Sequence, residues 1–387
     1  MKIIHLADLH LGKYFNGVSL LEDQSYILDK VLKIIEKENP DVVIMAGDIY
    51  DRSVPREDAV KVYNRFITKA SKLSKNNLII AGNHDSAERL SVLNSLLKGH
   101  GLIIEGNVKD PLRMITIDHK DGPVDFYFFP YKDTSVLKAI FDLKDVKGDS
   151  NVYEKIIERS LIDNDHRKVM IYHGFVLPSS DEAKEDIATS DSERFLSVGG
   201  HEYIKASVFN DFDYVALGHL HKPQWVVENK IRYSGSILKY SFSEKNHKKS
   251  ISIIELGNDG SVLLREEPLV PLRDVIEIEG SFTDLMNEVH LESTDDFVKV
   301  SLLGDEEILD PMNRLRNVYP NVIELERKRE IRGVTTDSVD SLSIKNKDVR
   351  KLFTDFYKEK NGKEMEKETS KMFDEILKEL GGQNEAY

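Results

Sequence analysis

Five short apolar runs recur along the first 220 residues of the chain: Ile3–Ala7, with His5 inside it, Val42–Ala46, Leu78–Ala81, Val169–Tyr172 and Tyr214–Leu217. Such runs, four or five residues long and without polar alternation, predict strands buried on both faces. Between them the period changes. Over Asp23–Glu38, Ile27, Leu28, Val31, Leu32, Ile34 and Ile35 make one broad apolar face, and over Glu57–Lys72, Val60, Tyr63, Phe66, Ile67 and Ala70 repeat at helical spacing. Both segments predict amphipathic helices. Two later runs, Val124–Phe129 and Ser250–Leu256, predict further strands and with them a second sheet. The alternation of strands and helices makes residues 1–266 an α/β domain.

Residues 267–330 read differently. Strands are expected at Val275–Ile278, Phe297–Leu302 and Val322–Leu325, and helices at Phe282–Val289 and Pro311–Val318. Three strands and two helices in so short a stretch make a small α+β domain. A linker, 331–344, follows, rich in Ser, Thr and Asp from Gly333 to Ser343. The segment 345–387 predicts a helix pair. One helix carries Val349, Leu352, Phe353, Phe356 and Tyr357; after a turn at Asn361-Gly362 the other carries Met365, Met372, Phe373, Ile376 and Leu380. A pair this small buries little surface by itself, so its apolar face is expected to dock, on its own chain or on a partner.

Each of the five apolar runs leads into a motif: Asp8-Leu9-His10, Gly47-Asp48-Ile49-Tyr50-Asp51, Gly82-Asn83-His84-Asp85, His173-Gly174 and Gly218-His219-Leu220-His221. A single strand-end His or Gly-Asp is ordinary: the first is usually structural and the second a turn. Five of the chain's 12 His inside these motifs, each in register with a strand, are not explained that way. Loops at one edge of a sheet gather at a common site. The side chains offer oxygen and imidazole nitrogen, with no sulfur. A pair of divalent ions bridged by one carboxylate suits such a set, and two-metal sites of this kind clamp both oxygens of a phosphoryl displacement. The seven other His (His5, His100, His119, His166, His201, His247 and His290) are expected to be structural.

The ordered motifs resemble the calcineurin-like metallophosphoesterase superfamily. Asp8-Leu9-His10-Leu11-Gly12-Lys13, Tyr233-Ser234-Gly235-Ser236, Phe242-Ser243-Glu244, and Asp310–Arg316 with Tyr319-Pro320-Asn321-Val322 are similar to the SbcD-type DNA nucleases within it. The resemblance runs to about residue 380. It implies a four-layer α/β/β/α sandwich with a small α+β capping domain beside the cleft. It also implies one metal on Asp8, His10, Asp48 and His221 and a second on Asp48, Asn83, His173 and His219, with Asp48 bridging. Imidazole donors favour Mn²⁺ over Mg²⁺ or Ca²⁺, with Fe²⁺ and Zn²⁺ as alternatives. His84 is the implied catalytic group on the leaving oxygen, and Asp85 is expected to hold its imidazole in one tautomer. Some members of the superfamily carry a second His three residues after the bridging Asp; here that residue is Asp51, followed by Arg52. Asp51 is expected either to turn Arg52 toward a phosphate or to cap a helix near Pro55. The implied activity is exonuclease action on double-stranded DNA ends and endonuclease action on single strands or hairpins. The implied partner is an SbcC-like, SMC-family ATPase gripped through the C-terminal helix pair, with the chain as a homodimer inside a heterotetramer.

Composition bounds this reading. With no Cys there is neither a disulfide framework nor a thiolate metal site. The N-terminal apolar stretch ends at Asp8, too early for a signal peptide, and no 18-residue uncharged apolar run predicts a membrane span. Both fit a cytoplasmic placement. The net charge of −14 opposes simple nucleic-acid binding. Six carboxylates in the stretch Asp181–Glu193, expected to be a solvated loop, account for part of it, and Lys222–Lys249 carries seven Lys/Arg against two Glu. The chain alone is therefore expected to hold DNA weakly. No phosphate-binding P-loop occurs, so any ATP dependence belongs to a partner. Two rival readings stand beside the nuclease. A small-molecule phosphodiesterase or phosphatase on the same fold would leave the C-terminal helix pair without a purpose. A catalytically silent scaffold would have lost ligands that are all present here.

Overall fold

A computed structural model describes residues 1–92, 97, 99, 101–179, 187–193, 203–287, 295–304, 308–328, 353–354, 357–358, 365 and 369–373. The N-terminal part runs β1 (Lys2–Leu6), a small hairpin β2 (Tyr14–Phe15) and β3 (Val18–Ser19), α1 (Leu21–Glu38), β4 (Val42–Ala46), α2 (Glu57–Leu73), β5 (Asn77–Ile80), α3 (Ala87–Leu90) and β6 (Leu102–Glu105). It continues through β7 (Arg113–Ile117), β8 (Val124–Phe129), α4 (Thr134–Ile140), α5 (Asp149–Ser160), β9 (Arg167–His173), β10 (Val176–Leu177), β11 (Ile204–Lys205), β12 (Tyr214–Gly218), β13 (Gln224–Val227), β14 (Ile231–Tyr233), β15 (Ser250–Leu256) and β16 (Val262–Pro268). The two long helices start with acidic residues, Glu22 and Asp23 in α1 and Glu57 and Asp58 in α2, which complement the helix dipole. Helix α1 stops at Asn39, left-handed at φ 44°, ahead of Pro40.

Two six-stranded sheets result, in the orders β16-β15-β1-β4-β5-β6 and β13-β14-β12-β9-β8-β7. Strands β1, β4, β5 and β6 are parallel, as are β8, β9, β12 and β14, so the carboxyl ends within each set share one edge. The lack of alternation in the apolar runs now has its cause. Val43 and Met45 of β4 pack under α1 and α2, while Val42, Ile44 and Ala46 meet the second sheet. In β9, Met170 and Tyr172 pack under α5, while Val169 and Ile171 face the first sheet. Helix, sheet, sheet and helix thus enclose three apolar layers, the four-layer sandwich that the resemblance implied. Burying each such Val, Ile or Leu is worth about 1.5–3 kcal/mol, so apolar packing dominates the assembly. One expectation is corrected: Ser250–Leu256 does not help build the second sheet. It returns as β15 to pair antiparallel with β1, Ile3 opposite Ile254, because Ile251, Ile253 and Ile254 find apolar layers on both faces there.

Past β16 come β17 (Val275–Gly280), α6 (Phe282–Asn287), β18 (Phe297–Leu303), α7 (Pro311–Arg316) and β19 (Val322–Lys328), forming a parallel three-stranded sheet in that order. Its helices cover a separate core of Ile278, Phe282, Leu285, Val298, Val300, Leu302, Leu315 and Tyr319. Val275 and Phe297 join the core under α1, and Asn16 donates to Glu324 at 2.7 Å. Residues Met1–Arg329 form one compact unit and Glu330–Tyr387 another. In the second unit, Phe353 and Phe373 stack with centroids 4.0 Å apart and an interplanar angle of 14°. The expected linker at Gly333–Ser343 lies outside the described residues, as do Val349, Leu352, Phe356, Ile376 and Leu380.

Candidate metal centre

The strand-end motifs meet at the shared edge of the two sheets, β1, β4 and β5 from one side and β9 and β12 from the other. Their backbones are unusual. Asp8 (φ 53°), His10 (φ 43°), Asp48 (φ 49°) and His219 (φ 115°) all lie at positive φ, where side chains other than glycine's are strained. Held this way, the loops turn their side chains inward. Two glycines make room. A Cβ on Gly47 would come 2.3 Å from His173 Nδ1, and one on Gly218 would come 1.9 Å from the Ala46 carbonyl oxygen. The loop after β1 is tied from behind: Gln24 donates to the carbonyls of Leu9 (3.1 Å) and His10 (2.7 Å), and Tyr240 also donates to Leu9.

Asp8, His10, Asp48, His173, His219 and His221 are all buried. His173 Nδ1 faces the Ala46 carbonyl at 2.8 Å, so that nitrogen carries a proton; Nε2 then faces Asn83 Oδ1 at 2.9 Å and Asp48 Oδ2 at 3.4 Å. On the other side, His221 Nδ1 faces Glu244 Oε1 at 3.2 Å, and its Nε2 stands 3.1 Å from His10 Nε2. His10 Nδ1 is buried with no hydrogen-bond partner. Ligand atoms of Asp8, His10 and His221 lie within 4.8 Å of one another, as do those of Asp8, Asp48 and His173, and of His10, Asp48 and His84. The His219 ring stands 5.5 Å from that of His173, and its backbone N–H donates to both Asp8 oxygens at 3.0 and 3.1 Å. Nitrogen and oxygen donors that converge at such short range suit cations, so the residues fit a pair of divalent metals.

Electrostatics agree. Burial raises the Asp8 carboxyl to about 7, against the pull of His173 and His221. Burial also opposes charge on Asp48, but the neighbouring His173, His10 and His84 outweigh it and hold that carboxyl well below its usual range. Burial pushes His10 far down, and burial with the nearby His173 takes His219 to about 3. For His173 burial works against protonation, yet Asp48 outweighs it and lifts the ring to about 9. Cations entering the centre would displace these shared protons.

Outside the ligand cluster the structure departs from expectation. The Asp85 carboxylate does not hold His84. It accepts backbone N–H groups from Ile49 (3.0 Å), Tyr50 (2.9 Å) and Gly82 (3.0 Å), which lock two of the loops together. His84 instead donates from Nδ1 to the Asp51 carbonyl at 2.8 Å, and its backbone N–H donates to Asp48 Oδ1 at 2.8 Å. With the proton on Nδ1, Nε2 carries the lone pair of the neutral ring. Asp51 caps no helix: α2 starts after Arg56 with no side-chain cap, and the Asp51 carboxylate pairs with Lys13 at 3.0 Å and with Arg52 at 3.8 Å. Nor is Glu193 free in solvent, because it accepts the His221 N–H at 2.7 Å. Asp181–Asp186 lie outside the described residues.

Of the His expected to be structural, His5 is buried between the sheets, Nδ1 against Tyr214 Oη at 2.8 Å and Nε2 against the Leu217 carbonyl at 3.1 Å. His119 and His166 each lie beside an Asp. His100, His201 and His290 are outside the described residues. Gln24, Tyr240, Glu244 and Lys249 were missed as supports of the centre. Only Glu244 had a signal, its place in Phe242-Ser243-Glu244.

The calcineurin-like phosphoesterase family model matches residues 1–223, and a C-terminal domain described as that of a type 5 capsule protein repressor matches residues 271–361. The D subunit of nuclease SbcCD from Staphylococcus saprophyticus is 34% identical over 98% of this chain and 98% of its own length. Among solved structures, TT1561 of Thermus thermophilus aligns with TM-score 0.40 and 11% identity, over 68% of this chain and 98% of its own. A dimetal phosphatase from Danio rerio aligns with TM-score 0.39 and 13% identity, over 70% and 96%.

Proposed function

The chain belongs to the calcineurin-like phosphoesterases, in the family of the D subunit of nuclease SbcCD, and from that premise we propose how its centre cleaves DNA. The substrate is a DNA phosphodiester, cut exonucleolytically at double-stranded ends and endonucleolytically in single strands or hairpins. Asp8, His10, Asp48 and His221 would hold one metal, and Asp48, Asn83, His173 and His219 the other. Mn²⁺ matches the imidazole-rich set. When bound, the ions supply Lewis acidity toward the phosphoryl oxygens and toward water.

The protein's own groups do the rest. Asp48 would supply a carboxylate to both ions, its Oδ1 supported by the His84 N–H. The Ala46 carbonyl keeps the proton of His173 on Nδ1 and leaves Nε2 to bind. His84, braced by the Asp51 carbonyl, presents Nε2 for the leaving oxygen: it donates a proton there when the ring is charged. Asp85 acts one step removed, as the clamp that keeps the Asp48 and Asn83 loops in register. Lys13 and Arg52, gathered by Asp51, place positive charge next to the centre for a DNA phosphate. The partner is an SbcC-like, SMC-family ATPase, engaged through the C-terminal segment, with two copies of this chain in a heterotetramer. Among the described residues no helix is long and apolar enough to cross a membrane.

The observation that carries the reading is the convergence of His10, Asn83, Asp48, His173 and His221 with His84 beside them. Cleavage of end-labelled duplex, hairpin and single-stranded DNA, compared with bis-p-nitrophenyl phosphate in Mn²⁺, tests it. DNA cleavage abolished by EDTA and restored by Mn²⁺ is expected. Turnover of the small diester with DNA left intact, with or without the ATPase, would assign a small-molecule phosphodiesterase instead.

A further inference from the structure

The two halves of the centre are braced differently. His173 leans on a neutral acceptor, the Ala46 carbonyl at 2.8 Å. His221 leans on a carboxylate both directly and through a hydroxyl: Glu244 has no exposed surface and places Oε1 3.2 Å from His221 Nδ1, and Ser192 Oγ, 2.7 Å from the same nitrogen, donates to that Oε1. Lys249, also buried, holds the other Glu244 oxygen at 2.6 Å. The same ammonium donates to the His221 carbonyl and to Ser236 Oγ, both at 2.8 Å, so it grips the His221 backbone while it neutralises the carboxylate behind the ring. The Tyr233–Ser236 and Phe242–Glu244 motifs both wrap His221, although neither contributes a residue to the ligand cluster.

We propose that Glu244, held by Lys249, is a positioning residue that orients the His221 ring and strengthens it as a donor, so that the metal on the Asp8, His10 and His221 side binds more tightly and loads first. A carboxylate on Nδ1 fixes the tautomer with Nε2 bare and makes that nitrogen more basic than a carbonyl does. Lys249 makes the arrangement tenable, since an unpaired buried carboxylate would be strongly destabilising. The inference rests on the two-metal reading above.

Calorimetric Mn²⁺ titration of the full chain tests it. The wild type is expected to show two unequal sites. Glu244→Gln should weaken the tighter one about 10–100-fold, the usual effect of losing such a partner, and leave the weaker one unchanged. The double variant Glu244→Gln/Lys249→Met, which buries no unpaired charge, should behave alike, and unfolding in EDTA reports the fold separately. In the metal-free protein, the proton NMR signal of His221 Nδ1–H should lie far downfield and shift upfield in Glu244→Gln. Unchanged titrations in both variants, or equal weakening of both sites, overturn the proposal. A wild type that takes up no Mn²⁺ overturns the two-metal reading itself, and this inference with it.

Discussion

His84 and Asp48 touch through a backbone N–H, yet their roles separate cleanly at the scale of single residues. The His84 ring is anchored on the Asp51 carbonyl and sits outside both proposed ligand sets. His84→Ala should therefore keep metal stoichiometry and DNA binding at wild-type levels while lowering turnover about 10²–10⁴-fold, the range of general acid–base assistance. Elemental analysis beside single-turnover cleavage separates the two effects, and loss of a metal would make His84 a ligand. Asp48→Asn removes the charge from the carboxylate that His10, His84 and His173 surround. It should lose at least one ion and nearly all activity; two retained metals with substantial cleavage would exclude Asp48 as the bridge. The sequence motifs led to the candidate ligand side chains, which do gather here, but not to Gln24, Tyr240 and Lys249 behind them. They did not lead to Asp85's partners, because nothing in Gly82-Asn83-His84-Asp85 says that three N–H groups from two loops will reach its carboxylate before the adjacent imidazole does.

At the scale of elements, β1 illustrates how a polar residue can serve a buried strand. His5 joins the two sheets, accepting from Tyr214 and donating to the Leu217 carbonyl. Burial, with Arg232 nearby, lowers its pKa to about 3 from an ordinary 6.5. The unfolded chain takes up a proton near pH 6.5 and the folded one does not. His5 is thus without penalty above that pH, and stability falls by about 1.4 kcal/mol per unit as pH drops from there toward 3. Urea unfolding of wild type and His5→Gln at pH 7.0 and 5.0 should show the larger loss in the wild type, by roughly 2 kcal/mol. Equal losses would mean that His5 is hydrated or charged in the fold. The boundaries of most strands and both long helices were legible from periodicity. The sheet that receives Ser250–Leu256 was not, since a doubly buried strand reads the same in either sheet.

The whole molecule raises the question of how a chain of net charge −14 handles DNA. Its metals and its partner are expected to supply what its surface lacks. A chain ending at Arg329, the limit of the first compact unit, should fold, bind two metals and cut single-stranded DNA, yet fail to join the ATPase. In the second unit, Phe353 and Phe373 stack on each other, so changing both to Glu should disrupt that unit while sparing metal-dependent cleavage. Undiminished pull-down of the SMC-like ATPase by this double variant would show that the partner is held elsewhere.

By itself the sequence determined the strand and helix pattern, the four-layer class and the set of side chains that gather at the sheet edge. The strand and helix pattern follows from the period of apolar positions, whereas the four-layer class and the ligand set came through the motifs' resemblance to a known superfamily. Only the tertiary structure decided which strand joins which sheet, which carboxylate braces which imidazole, and that Lys249 reaches around to hold His221 from behind. Those contacts join residues far apart in the chain, Tyr240 to Leu9 and Ala46 to His173 among them, and no local pattern records them.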